Sequence, residues 1–259
     1  MSNRPIGVLD SSVGGISVLR ELRRIMPNEC YVYLGDTANA PYGVRTEAEI
    51  CDLTRTAAHM LLEKGIKVLL IACNTATSAA AALLREELAI PVIGMEPALK
   101  PAALARESGR IAVLATPATL RQRKFQALFA KYGEHAVALP CAGLMEFVER
   151  FELDSPRLHD FLREKLVPQD GGEPFTCIVL GCTHYVFLRP ALQKIVPQAR
   201  LFDGNRGTAM QVHAVLEAHN LLSASQDGSC ELDTTGDSAR ILPVMQRLLT
   251  IEESGGISE

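Results

Sequence analysis

Short apolar runs alternate with amphipathic stretches along the first hundred residues. Each run is followed by polar residues, and the stretches between the runs carry apolar side chains at helical spacing. This alternation is typical of a parallel sheet with helices on both faces. The predicted strands are Ile6–Leu9, Tyr31–Leu34, Val68–Cys73 and Pro91–Gly94, and the predicted helices are Ser17–Ile25, Glu47–Lys64 and Thr77–Leu88.

A weak internal duplication predicts two lobes. The offset between the copies is nearly constant, at 105 residues from Val8 to Val113 and 109 residues from Cys73 to Cys182. We therefore expect an α/β protein of two similar doubly wound lobes, each with a mostly parallel sheet flanked by helices, and an active site in the cleft between them. The echoed segments are Ile6–Asp10 with Ile111–Ala115, Val68–Thr75 with Cys177–His184, and Val92–Glu96 with Leu201–Asn205.

The same pattern predicts where the lobes begin and end. Residues 1–97, together with the returning C-terminal helices of residues 208–259, form the N-terminal lobe, and residues 98–207 form the second. The polar stretch Ser223–Ser229 is expected to be a surface loop, and residues 251–259 a frayed tail.

Composition narrows the functional class. The chain has 259 residues, of which 47% are hydrophobic and 22% charged, which excludes a disordered protein. The net charge of -4 argues against a nucleic-acid partner, and no apolar run approaches the roughly 18 residues of a membrane helix. Seven cysteines without an export signal predict free thiols in the cytoplasm. The expected partner is a small-molecule substrate, and a homodimer is compatible with the sequence.

Polar side chains follow the predicted strands at the edge where open parallel sheets bind ligands. Two of these segments, Asn74-Thr75 and Thr183-His184, open helices, whose free N–H groups favour anions. A cysteine at a helix start is expected to have a lowered pKa. Cys73 and Cys182 are therefore the candidate reactive thiols. The full set at this edge is Asp10-Ser11, Asp36-Thr37, Cys73-Asn74-Thr75, Thr116 and Cys182-Thr183-His184.

The duplication places the two thiols on opposite sides of the cleft. One group can then remove a proton from a carbon while the other delivers a proton to its opposite face, which inverts a stereocentre. The first turn, DSSVGG, lacks the G-x-G-x-x-G pattern of a dinucleotide site. The histidines also lack metal-ligand spacing, so we expect neither a cofactor nor a metal.

Four segments closely resemble the glutamate racemases of the aspartate/glutamate racemase family, in that family's order and spacing. The resemblance implies cofactor-independent interconversion of L- and D-glutamate, which supplies D-glutamate for peptidoglycan synthesis. The segments run from Gly7 to Gly15, from Gly35 to Thr37 with Ala40 to Gly43, from Ala72 to Ala76, and from Leu180 to Tyr185.

The resemblance also implies roles for individual residues. Cys73 and Cys182 would be the catalytic thiols, with Cys73 deprotonating D-glutamate and Cys182 deprotonating L-glutamate. Asp10, His184 and an acidic partner of His184 would assist them. That partner maps best to Glu149, with Glu146 and Glu152 as alternatives. The implied substrate contacts are Asp10, Ser11, Pro41, Tyr42, Gly43, Asn74, Thr75, Thr183 and His184.

Three alternatives remain open at this point. A related racemase could act on aspartate or a hydantoin. A cysteine hydrolase could use Cys182 as nucleophile and His184 as base, but that reading leaves Cys73 without a role. A two-lobed binding protein would hold a ligand without exchanging its α-proton.

Overall fold

Strands and helices alternate along the computed structural model, which describes residues 2–168, 172–225 and 227–251. Within these residues the strands are β1 (Ile6–Asp10), β2 (Cys30–Gly35), β3 (Val68–Ile71), β4 (Val92–Gly94), β5 (Arg110–Ala115), β6 (Ala136–Pro140), β7 (Phe175–Leu180), β8 (Arg200–Phe202) and β9 (Ser229–Thr234). The helices are α1 (Ile16–Ile25), α2 (Glu47–Glu63), α3 (Asn74–Glu87), α4 (Leu99–Ala105), α5 (Pro117–Arg121), α6 (Arg123–Tyr132), α7 (Leu144–Glu149), α8 (Pro156–Leu166), α9 (Arg189–Ile195), α10 (Asn205–Ala218) and α11 (Ser238–Thr250).

The strands form two parallel sheets flanked by helices, so the predicted two-lobed α/β fold is confirmed. The first sheet has the order β4-β3-β1-β2-β9 and the second the order β6-β5-β7-β8. Read from β4, the first sheet runs 4-3-1-2, and read from β8, the second runs 8-7-5-6. The two lobes therefore share one strand order, as the repeated sequence segments predicted.

Helix α3 begins at Asn74, as expected for the segment Asn74-Thr75 and three residues before the start at Thr77 that the apolar spacing predicts. Cys73 is extended and its Sγ accepts a hydrogen bond from the Ala76 N–H at 3.5 Å, so the cysteine caps the helix. The predicted helix at Thr183 also differs, because Thr183–Leu188 forms a 3-10 helix and α9 starts only at Arg189.

An apolar cluster runs across both lobes. It joins β1 and α1 to α7, α8 and α9 and to the C-terminal helices, with Val8, Leu19, Leu144, Tyr185 and Met245 among its buried members. Burial of this continuous surface fixes the strand ends of one lobe relative to those of the other.

The C-terminal return contains a strand as well as helices. Strand β9 pairs in parallel with β2 and extends the first sheet, while α11 follows it. The predicted loop Ser223–Ser229 ends as β9 begins, and its residue 226 lies outside the described residues. The predicted tail lies outside them from residue 252 onward. The lobe boundaries at residues 97 and 208 stay a prediction.

A buried ion pair holds this return against the first sheet at the amino ends of β2 and β3. Lys67 Nζ lies 2.6 Å from Glu29 Oε2, and the two side chains are 1% and 4% exposed. The ammonium also donates to the carbonyls of Ser2 and Leu221, and the other Glu29 oxygen accepts from the Ser223 N–H. All donors of the ammonium are therefore used.

None of the helices in the described ranges is long and apolar enough to cross a membrane.

We expect Lys67→Met to lower the free energy of unfolding by about 3–5 kcal/mol, because it leaves the Glu29 carboxylate buried without its cation. Urea unfolding measures this. The control is Lys64→Met, which breaks an exposed pair with Glu231 of the same 2.6 Å length and should cost less than about 1 kcal/mol. Equal losses in the two variants would contradict this view of the buried pair.

Candidate active site

The carboxyl ends of β1, β3 and β7 surround a small cavity between the lobes. Its volume is about 10 Å³, close to the space that one water molecule needs. Both candidate thiols lie on its wall, Cys73 after β3 of the first sheet and Cys182 after β7 of the second. The lining residues are Ser11, Tyr42, Gly43, Cys73, Asn74, Thr75, Thr116, Met145, Gly181, Cys182, Thr183 and His184.

Cys73 lies in the more buried half of the site. Its side chain is 7% exposed, and its Sγ lies 3.4 Å from Ser11 Oγ. Burial and, next, the charge of Asp10 raise the pKa of the Cys73 thiol to about 12. The expectation that the helix start lowers this pKa is therefore wrong. The Ala76 N–H does act in the predicted direction, but burial and Asp10 outweigh it.

Cys182 lies beside an imidazole. Its Sγ is 3.6 Å from His184 Nδ1, and His184 Nε2 faces Glu149 Oε1 at 3.7 Å, which is an ion-pair contact rather than a hydrogen bond. Burial alone would lower the pKa of His184, but Cys182, Glu149 and Asp10 together raise it well above its ordinary value. The histidine therefore supplies a positive charge between Cys182 and Glu149.

The three acidic candidates for the partner of His184 have different surroundings. Glu149 is the one whose carboxylate faces the imidazole. Glu152 pairs with Arg150 at 2.9 Å, and a buried carboxylate oxygen of Glu146 has no hydrogen-bond partner among the described residues. The geometry thus favours Glu149, although its role in catalysis stays a prediction.

Asp10 lies behind the cavity wall and connects the lobes. It accepts hydrogen bonds from the Ser12 N–H at 2.7 Å, from Ser11 Oγ at 3.3 Å, and from Thr183 Oγ1 of the second lobe at 3.0 Å. Its side chain is buried, and burial raises its pKa despite these donors and the nearby His184.

Hydroxyl groups also join the two lobes where Thr75 of the first lobe meets Thr116 and Thr119 of the second. Thr75 Oγ1 lies 2.8 Å from Thr119 Oγ1 and 3.1 Å from Thr116 Oγ1, and the Thr75 carbonyl accepts from Gln122 Nε2. The amide of the neighbouring Asn74 is buried in the cavity wall without a hydrogen-bond partner among the described residues. Such a group is available to a polar ligand.

The loop that carries Tyr42 and Gly43 is held by Asp36. Tyr42 Oη donates to Asp36 Oδ2 at 2.6 Å, and Thr235 Oγ1, from the turn after β9, donates to Asp36 Oδ1 at 2.6 Å. The C-terminal return thereby supports a loop of the cavity wall. This support could not be read from the sequence, because the two partners are 199 residues apart.

Most of the predicted site residues line the cavity, but three do not. Asp10 and Glu149 lie behind the wall, and Pro41 only precedes the 3-10 turn Tyr42–Val44. Sequence reasoning missed Met145, which α7 brings to the wall without any local motif, and Ser12, whose side chain contacts Glu149. Among the described residues, no group of three or more His, Cys, Asp or Glu side chains has the arrangement of a metal site.

A family model described as Asp/Glu/Hydantoin racemase matches residues 6–212. The chain belongs to this racemase family. It is also 46% identical to the glutamate racemase of Clostridium perfringens over 257 residues, which cover 97% of this chain and 98% of that protein.

Solved structures show the same relationship. This racemase superposes on the glutamate racemase of Thermus thermophilus, solved with β-chloro-D-alanine, with a TM-score of 0.80 and 36% identity over 95% of this chain and 93% of the other. The enzyme of Francisella tularensis, solved with D-glutamate, gives a TM-score of 0.83 and 27% identity over 97% and 95% of the two chains. The resemblance to glutamate racemases is confirmed, and the chain is an isomerase.

Gly14 permits the close approach of the two lobes at His184. A Cβ at this position would lie 2.3 Å from His184 Nδ1 and 2.5 Å from Thr183 Oγ1. We therefore expect Gly14→Ala to lower racemase activity about 100-fold, because a displacement of about 1 Å in a catalytic group has an effect of this size.

The control is Gly207→Ala, since a Cβ at Gly207 meets nothing within 4 Å. This variant should keep its activity. Unchanged turnover by Gly14→Ala, measured by polarimetry on folded protein, would show that His184 does not need this close contact.

Proposed function

We propose that this chain is a cofactor-independent racemase that interconverts L- and D-glutamate with Cys73 and Cys182 as the two bases. The observation that carries the proposal is that the two thiols line one small cavity from opposite lobes. The assignment of glutamate as the substrate rests on the relatives. They are named glutamate racemases, and one of them was solved with D-glutamate.

The reaction moves one proton on each side of the substrate α-carbon. A thiolate removes the α-proton, so that the C–H bond breaks, an S–H bond forms, and the electron pair stays on the α-carbon. The opposite thiol then gives its proton to the other face of that carbon and becomes a thiolate. The product has the opposite configuration, and the two cysteines have exchanged protonation states.

Cys73 and Cys182 have different surroundings. Around Cys73, burial and Asp10 favour the protonated thiol. Around Cys182, the raised pKa of His184 places an imidazolium 3.6 Å from the sulfur. This contact supports Cys182 as one of the two bases, and its action on L-glutamate is the role that the family resemblance implies.

The cavity wall offers partners for both charged ends of an amino acid. The Asn74 side chain and the N–H groups at the start of α3 can hold the substrate carboxylate and the charge that develops on the α-carbon. The Asp10 carboxylate, reached through Ser11 and Thr183, compensates the ammonium. Because the cavity has room for about one water molecule, glutamate binding must widen the cleft, and its closure around the substrate excludes water.

One contact also fits the hydrolase alternative. The pairing of Cys182 with His184 is the arrangement of an activated cysteine nucleophile. A hydrolase would not need Cys73, so the two functions differ in what removal of Cys73 does.

We further propose that the D-glutamate serves peptidoglycan synthesis and that the enzyme works in the cytoplasm. The first proposal rests on the resemblance to glutamate racemases. The second rests on the seven cysteines, none of which is in a disulfide in the described structure.

We expect Cys73→Ala and Cys182→Ala each to lower racemisation of glutamate more than 1,000-fold in both directions, because an inversion needs both proton-transfer groups. Circular dichroism follows the reaction from either enantiomer. Cys51→Ala, which removes a partly buried thiol of α2, is the matched control and should remain active. Near-normal turnover by either active-site variant would refute the two-base assignment.

The same assay decides between related substrates. Glutamate should be racemised at least about 100-fold faster than aspartate, because a side chain shorter by one methylene misplaces its carboxylate. Faster turnover of aspartate would assign the chain to the other branch of its family. Release of a hydrolysis product by Cys73→Ala would support the hydrolase.

A further inference from the structure

Ser12 is fixed at both ends of its backbone. Its N–H donates to Asp10 Oδ1 at 2.7 Å, and its carbonyl accepts from Tyr33 Oη at 2.8 Å. The residue is 2% exposed. Its hydroxyl therefore occupies a defined position between Asp10 of the first lobe and the second lobe.

The Ser12 hydroxyl donates a hydrogen bond to Glu149 Oε1, 137 residues away. The same carboxylate oxygen faces His184 Nε2 at 3.7 Å. That nitrogen is buried and has no hydrogen-bond partner among the described residues. The orientation of the Glu149 carboxylate toward the imidazole is thus held by Ser12, because the contact with His184 is too long to be a hydrogen bond.

Glu149 is the last residue of α7, and the chain leaves the helix directly after it. Phe151, two residues later, has a left-handed backbone with φ of 59°. The Phe151 ring is covered by the Arg247 guanidinium of α11 at 3.5 Å. Besides His184, the positive charge of Arg240 in α11 lowers the pKa of the Glu149 carboxyl.

We infer that Ser12 is a positioning residue that holds the Glu149 carboxylate against His184 and so favours the charged form of the imidazole. The assignment of His184 to the reaction rests on the proposed function. Ser12 itself touches neither thiol; it acts on Cys182 through Glu149 and His184.

The charges around the imidazole decide in which direction the pKa of His184 changes when the Ser12 hydroxyl is removed. Cys182, Glu149 and Asp10 all stabilise the imidazolium. Without the Ser12 hydroxyl, the Glu149 carboxylate loses a donor to its charged form and is free to turn away from the imidazole. The pKa of Glu149 should therefore rise, and the pKa of His184 should fall.

The first test is Ser12→Ala, which removes the hydroxyl with little change of shape. Nitrogen-15 NMR of the imidazoles in the free enzyme, with His184 assigned from His184→Gln, should show that the pKa of His184 falls by about one pH unit. The limb of the kcat/KM profile on the alkaline side should move in the same direction, with kcat/KM at neutral pH about tenfold lower. Ser12→Thr, which keeps a hydroxyl, should restore both values.

A matched control and a double variant separate positioning from general loss of structure. Thr54→Val removes another buried hydroxyl, one that donates to the Ile50 carbonyl within α2, and should leave the titration of His184 unchanged. In a Glu149→Ala background, Ser12→Ala should have no further effect on His184.

The inference is overturned if Ser12→Ala leaves the pKa of His184 where it is, or if it shifts that pKa equally with and without Glu149. Because the NMR titration needs no turnover, this outcome is distinct from failure of the proposed function, which would appear as a wild-type enzyme that does not racemise glutamate.

Discussion

The buried carboxylate of Asp10 is the group on which the rest of the site depends. It accepts hydrogen bonds from Ser11 and Ser12 of its own lobe and from Thr183 of the other, so it fixes the relative position of the lobes where the cavity forms. Burial raises the pKa of Cys73 and the charge of Asp10 adds to that rise, and Asp10 also adds to the larger effects of Cys182 and Glu149 that raise the pKa of His184. One carboxylate therefore favours a protonated thiol on one wall and an imidazolium beside the thiol of the other wall.

The fold is nearly symmetrical, but the chemistry of the two strand ends is not. The lobes repeat one strand order, and Cys73 and Cys182 follow equivalent strands. Yet Cys73 caps an α-helix beside the Ser11 hydroxyl, whereas Cys182 precedes a 3-10 helix and lies beside an imidazole. A racemase that uses two cysteines as its bases, as we propose for this chain, needs one thiol and one thiolate at a time, and this difference between equivalent positions would supply the starting asymmetry.

The sequence was sufficient for the two-lobed fold and for most of the cavity wall, because strand ends of a parallel sheet meet at one edge wherever the chain goes next. The sequence was insufficient where burial in the folded protein decides the pKa of a group, and where a contact joins distant segments. The helix start at Cys73 predicts a lowered pKa, but burial and Asp10 reverse the direction. Strand β9, and the contact of Ser12 with Glu149, depend on segments far apart in the chain and leave no local pattern.

The most direct test of the two-base account is to start the reaction with L-glutamate in deuterated water and analyse both enantiomers early. Each thiol exchanges its proton with solvent before the next turnover, so the account predicts that the D-glutamate product carries deuterium at its α-carbon while the remaining L-glutamate carries none. Product that retains the original α-proton, or deuterium accumulating first in unreacted L-glutamate, would mean that a single group both removes and returns the proton.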